Sequence, residues 1–203
     1  MAVFSAMGVM ITLFWLINVV MAIFLGLQKF DRPEWGLAIK LGLFLAVIGA
    51  GLGYLMTSPT AEQLATMEAT GRPTQLIGAH SVGVPDGGQG LPFVGWSTEG
   101  GDLRIGHFIG LHGMQVLPLI GWFIVKQNSR LSARRKNGLI WTAGLSYLGV
   151  IFVVTWQALR AEPLIYPSTL TLISWAIWLV ATITASLWFL RPETSKQAVY
   201  EQA

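Results

Sequence analysis

Four polar side chains crowd the first half of one apolar run: Arg104, His107, His112 and Gln115 lie in the stretch from Leu103 to Val125. Ionisable and amide groups at membrane depth mark a ligand, proton or cofactor pathway, or else they satisfy buried backbone groups beneath a folded cap. Spacing narrows the chemistry. At 100° per residue, His107 stands about 60° from Arg104, Gln115 about 60° from His112, and the two histidines about 140° apart. A regular helix therefore cannot turn both imidazoles to one metal, unlike the i, i+4 pair of a zinc helix. With a rise of ~1.5 Å per residue, His112 lies roughly 13 Å beyond the start of the run.

His80, Asp86, Trp96, Glu99 and Asp102 precede this run in a glycine-rich loop, where the first two and last two can converge on the histidines. The competing expectation is that Arg104 pairs with Asp102 or Glu99, leaving the histidines to bind backbone carbonyls. A haem b held by two histidines normally draws one from each of two facing helices. The other apolar runs hold none, so only His80 could partner His107 or His112. A metal on His80, His107 and an acid has no supporting ligand spacing, and no metal site is predicted. Ser97 beside Trp96 lacks the strand-turn-helix glycines of a nucleophile elbow. The chain has no cysteine, which excludes disulfides, thiolate nucleophiles and cysteine-ligated metals.

The elements that must position these residues are membrane helices. The 203 residues carry only 11% charge and a mean hydropathy of +0.59, against about 25% charge in a soluble domain. Such a chain could not cover a water-facing surface, and several apolar runs reach 20 residues or more. The expected fold is all-α: a single polytopic integral membrane helix bundle with about five transmembrane spans. These are placed at about 3–27, 35–56, 103–125, 137–159 and 169–190. Residues 57–102 form a glycine-rich extracytoplasmic cap and residues 126–136 a basic cytoplasmic loop.

Within the spans, Asn18 calls for a partner on another helix. Gly42, Gly49 and Gly53 share one face smooth enough for close helix approach, and Gly106, Gly110 and Gly113 clear a path for close neighbours beside the histidines. Pro118 removes a backbone donor inside the third span and predicts a kink. In the cap, Ser58, Pro59 and Glu62 predict the start of a short helix ended by Gly71 and Pro73. From Thr74 onward the glycines alternate with Leu76, Ile77, Val82, Val84, Leu91, Phe93, Val94 and Trp96, more apolar residues than a flexible linker carries. A compact cap turning at Pro85-Asp86-Gly87 is expected, its apolar residues packed on the outer ends of spans two and three.

Charge orients the bundle. Lys29, Arg32, Lys40, Lys126, Arg130, Arg134, Arg135, Lys136, Arg191 and Lys196 fall on one side, against Arg72, Arg104 and Arg160 on the other. The positive-inside rule puts the first side in the cytoplasm, the C-terminus with it, and the long cap outside the inner membrane. An outside N-terminus without a leader would be accounted for by a further helix upstream. The net charge of +3 is explained by this loop and is no nucleic-acid signature.

The run from His80 to Pro118 resembles a signature of uncharacterised polytopic membrane proteins of bacteria: a PDGGxGLP turn, a WSTxxGDLR segment and an HFxGLHxxQxLPL helix. The matching residues are Pro85 to Gly88, Gly90 to Pro92, Trp96 to Thr98, Gly101 to Arg104, His107-Phe108, Gly110 to His112, Gln115 and Leu117 to Leu119. The resemblance implies a bacterial membrane protein, often longer at its N-terminus, and no activity. The expected function is non-catalytic. The polar mouth of span three binds a partner, lipid or small ligand, or docks into a larger complex of other membrane subunits or a homo-oligomer in the bilayer. The alternatives are a haem- or metal-dependent redox protein using His107, His112 or His80, and a small transporter or channel subunit.

Overall fold

A computed structural model describes residues 2–72, 74, 76–127 and 131–191. Five helices are long and apolar enough to cross a membrane: α1 (Ala2–Leu27), α2 (Pro33–Thr57), α4 (Arg104–Gln127), α5 (Ala133–Leu159) and α6 (Thr169–Leu190). A short α3 (Ala61–Thr70) and two two-residue strands, β1 (Ser81–Val82) and β2 (Gly101–Asp102), build the cap. The chain is a multi-pass membrane protein folded as an all-α bundle.

The core sits where α2, α4 and α5 meet. Leu45, Leu117 and Ile151 form one buried cluster, and Ala38, Ile124, Leu139 and Ile140 another toward the end away from the cap. The buried face of α4 is drawn with small residues: Gly106, Gly110, Gly113 and Gly121 alternate with Ile105, Leu117 and Ile124. Without water to drive association in hydrocarbon, close packing of backbones takes over. A β-carbon built on Gly49 would stand 2.5 Å from the Gly110 Cα, and one on Gly42 would stand 2.7 Å from the Gly113 carbonyl oxygen. The two glycine faces predicted from spacing therefore meet each other. Pro118 lies within α4, its Cδ opposite Gly42 and its carbonyl accepting from the Trp35 indole at 3.3 Å.

The outer helices are attached lightly. α1 touches α2 through one stripe, where the Trp15 indole donates to the Val47 carbonyl at 3.1 Å and its ring meets Tyr54 edge-on. α6 is held to α5 by the Ser146–Thr182 hydroxyl pair at 2.8 Å and by the Trp178 indole on the Ser146 carbonyl at 2.8 Å.

Several expectations change. Asn18 finds no partner across helices among the described residues; its amide donates to Phe14 of its own helix at 2.8 Å. The short helix starts at Thr60, not Ser58, because Gln63 completes a reciprocal capping box with Thr60. Ser58 instead closes α2, its hydroxyl donating to the Tyr54 carbonyl. Gly71 ends α3 in the left-handed region at φ 61°, as anticipated, while Pro73 lies outside the described residues. The basic loop is shorter than 126–136: α4 runs to Gln127 and α5 begins at Ala133, so Arg134, Arg135 and Lys136 are helical. Ser132 stands at the helix start and the following residues are good helix formers. Arg130 and Lys196 of the charge count lie outside the described residues. Lys126, Arg160 and Arg191 each cover an aromatic ring near a helix end, Trp122, Trp156 and Trp188 respectively.

Candidate functional site

The cap is a folded clasp. β1 and β2 pair antiparallel, Ser81 with Asp102 and Val82 with Gly101, and an isolated bridge joins Gly90 to Ser97. Its seat adds the end of α5 to the expected ends of α2 and α4. Gly101 lies on the Ala158 carbonyl and Gly83 on Ala161, both at the end of α5, while Gly78 rests on Met56 and Thr57 at the end of α2. Gln63 clamps Gly78 from both sides, receiving its amide at 2.9 Å and donating to its carbonyl at 3.0 Å. Trp96 alone of the bulky cap residues reaches α4 by a ring contact, edge-on to Phe108 at 5.7 Å. Leu76, Phe93 and Val94 point away from the bundle, and Phe93 is fully exposed at 109%. The hairpin between Gly90 and Ser97 closes in a tight tip: Val94 donates to Pro92 and Gly95 to Leu91, which holds Phe93 at φ 69°.

The polar residues do not converge on one cavity. They form separate stations. At the first, Asp86 accepts the backbone amides of Ser81 at 2.8 Å and His80 at 3.2 Å, and its Oδ2 lies 2.9 Å from His80 Nδ1. Burial pushes the Asp86 carboxyl up, but the Ser81 and His80 amides and the His80 ring outweigh it and hold it below the usual range. This carboxylate knits the turn at Asp86-Gly87 to the start of β1.

The second station is the keystone between cap and membrane. Asp102 is 1% exposed and accepts the Ser97 amide at 2.8 Å, the Arg104 amide at 3.0 Å and two nitrogens of the Arg104 guanidinium. Arg104 also donates to the Gly95 carbonyl at 2.6 Å. Burial raises the Asp102 carboxyl, yet the Arg104 fork and the two amides lower it below the ordinary value. Of the two acids expected for Arg104, Asp102 is the partner; Glu99 instead lies over Gly88. Ser97 spends its hydroxyl on the Glu99 and Gly100 amides.

The histidines diverge as the helical geometry requires. His107 reaches inward to α2, its Nδ1 2.7 Å from the Gly49 carbonyl oxygen. His112 is exposed on the outer surface of α4, its Nδ1 2.8 Å from the Phe108 carbonyl and its ring 4.1 Å from the Phe108 ring. A carbonyl oxygen only accepts, so both Nδ1 atoms carry hydrogen, and in the neutral ring Nε2 is left as an acceptor. Gln115 is exposed on the same side as His112, and no interaction of its amide is found among the described residues. It borders a groove of about 540 Å³ shared with Trp35, Pro118, Leu119 and Trp122. Among the described residues no three histidine or acidic side chains gather as a metal cluster would.

One polar cluster escaped sequence reasoning. Glu162, between α5 and α6, accepts Thr171 at 2.6 Å, the Arg160 guanidinium at 2.8 Å and the Ser168 amide at 3.1 Å. Burial works against its charge, but the Thr171, Ser168 and Arg160 bonds pull its pKa down to about 2. Gln157, buried beneath, donates to the Pro163 and Leu164 carbonyls. A lone acid in a short connector just before Ser168-Thr169 was the available signal. Comparison with protein-family models, with curated proteins and with solved structures returns no match for this chain.

Proposed function

We propose that this chain is a non-catalytic inner-membrane protein of bacteria that docks, through the outward face of α4, into a larger membrane assembly. The cap lies on the extracytoplasmic side and the basic ends of α4, α5 and α6 on the cytoplasmic side. One observation carries this reading: His112 and Gln115 stand exposed on the flank of a transmembrane helix. Both side chains retain unused hydrogen-bonding capacity, and hydrocarbon offers it no partner. A neighbouring helix does. Asp86, Asp102 and Arg104 are engaged in holding the cap and His107 in joining α4 to α2, which accounts for their presence without a reaction.

Extraction in a gentle detergent followed by native mass measurement tests the reading. Assemblies larger than one chain are expected, and they should weaken when His112 and Gln115 are both changed to leucine. A clean monomer from membranes, indifferent to those changes, would overturn it.

A second reading, a haem or metal site, draws on the imidazole tautomers. Metal-bound histidines donate the far ring nitrogen to a carbonyl or carboxylate, and His107 and His112 both make such a bond. Their rings leave α4 on different sides, so one copy offers one ligand at a time. A Soret band in freshly purified protein, lost on His112→Ala or His107→Ala, would favour this reading over the first.

A further inference from the structure

We propose that the partner seated on the outward face of α4 is a second copy of this chain, related by a two-fold axis along the membrane normal. The inference rests on the docking reading above and names its occupant. Three observations carry it.

The first is a repeat. Phe108, His112, Gln115, Leu119 and Trp122 follow one another at spacings of four, three, four and three residues. That is the 3.5-residue period of a two-helix seam. All five are exposed, while the buried glycines Gly106, Gly110, Gly113 and Gly121 serve contacts inside the bundle. α4 thus carries two packing stripes, one used by α2 and α5 within the chain and one that meets only the cap, where Trp96 touches Phe108.

The second is complementarity. His112 presents Nε2 as an acceptor because its Nδ1 hydrogen is committed to Phe108. Gln115, one turn further on, presents an amide with two donor hydrogens and no bond among the described residues. Every copy crosses the membrane in the same direction, so paired α4 helices run parallel and equal depths come together. The Gln115 amide of each copy then faces the partner's His112, about 4.5 Å away along the axis, a gap that two long side chains bridge. Two-fold symmetry makes the bond twice. A lipid tail on this face would leave the acceptor and the amide unmatched, and an unrelated helix would need the same two groups at the same depths.

The third is shape. The groove bounded by Trp35, Gln115, Pro118, Leu119 and Trp122 lies on this stripe, with a volume of about 540 Å³. It is a hole for the partner's Leu119 and Trp122, as knobs-into-holes packing requires.

The chain has no cysteine of its own, so single-cysteine variants report on the seam without background. Oxidative cross-linking in native membranes should give disulfide dimers for Gln115→Cys and Leu119→Cys. Met114→Cys, Phe123→Cys and Ile177→Cys, exposed but off the stripe, should give little. Adding His112→Leu and Gln115→Leu to Leu119→Cys should reduce the dimer-to-monomer equilibrium about eightfold, the effect of two interhelical hydrogen bonds. Cross-linking that is absent or equal at all positions, in a protein whose native mass shows other subunits, overturns the second-copy proposal and leaves the docking reading standing. No cross-link together with a monomeric mass overturns both.

Discussion

Changing Gly49 to alanine tests the crossing that organises the bundle. The new β-carbon would sit 2.5 Å from both the Gly110 Cα and the Leu111 nitrogen. Carbon contacts relax near 3.5–4.0 Å, so α2 and α4 must part by about 1 Å or more. The neighbours are backbone atoms and cannot turn aside. The same movement stretches the 2.7 Å bond from His107 to the Gly49 carbonyl beyond hydrogen-bond range. Overpacking costs about 1–3 kcal/mol and the lost bond about 0.5–1.5 kcal/mol. Alanine's better helix propensity returns roughly 1 kcal/mol, leaving a net loss of about 2 kcal/mol. The control is Gly51→Ala, whose β-carbon would meet Trp15 at an ordinary 3.6 Å; it should be neutral or stabilising. Unfolding in mixed micelles of mild detergent and dodecyl sulfate, followed by tryptophan fluorescence, gives both values. If Gly49→Ala unfolds with Gly51→Ala, the backbone crossing does not hold the bundle together and the argument fails.

Three further outcomes are expected. Asp102→Asn leaves a buried site facing the Arg104 guanidinium without charge; a loss of about 2 kcal/mol, below the 3–5 of a fully buried pair because Arg104 reaches solvent, should accompany faster protease cleavage within residues 85–100. Glu162, with its pKa held at about 2, contributes stability that is fully present above its unfolded pKa near 4.5 and drains as pH falls toward 2. The deficit of Glu162→Gln against wild type should therefore shrink over that window in acid-unfolding curves, and a constant deficit would discount the charge. Phe93→Gly removes a side chain held at φ 69° without buried contacts and should stabilise the isolated protein by about 1 kcal/mol in thermal unfolding; destabilisation would show that Phe93 packs within the chain.

What the sequence made legible follows from the reach of each cue. Twenty-residue apolar runs are self-declaring, so the spans were placed to within a few residues. Glycine spacing exposes both packing faces, and 100° per residue separates His107 from His112. Cues that depend on a distant backbone atom were silent. Nothing near His107 names the Gly49 carbonyl, and nothing near Gly101 names the end of α5 as its seat. Asn18 misled because a side-chain amide can satisfy itself on the preceding turn of its own helix. Ser58 misled because two hydroxyls, Ser58 and Thr60, stood within capping distance and only Gln63 chose between them. The cap's apolar residues looked like a core, yet a hairpin tip as tight as Leu91 to Gly95 has no interior.

The crossing of α2 and α4 also bears on how the chain assembles. His107 and Gly49 are 58 positions apart, and the whole cap is synthesised between them. An unstructured excursion of that length would leave α2 waiting in the bilayer for a remote partner. The clasp shortens the wait. With Gly78 resting on the end of α2 and His80 accepting the Leu103 amide just before α4, only a few residues separate the two helices along the folded path. Cutting the effective loop several-fold recovers on the order of 1.5 kcal/mol of closure entropy. The cap thereby serves as an assembly jig for the crossing of α2 and α4.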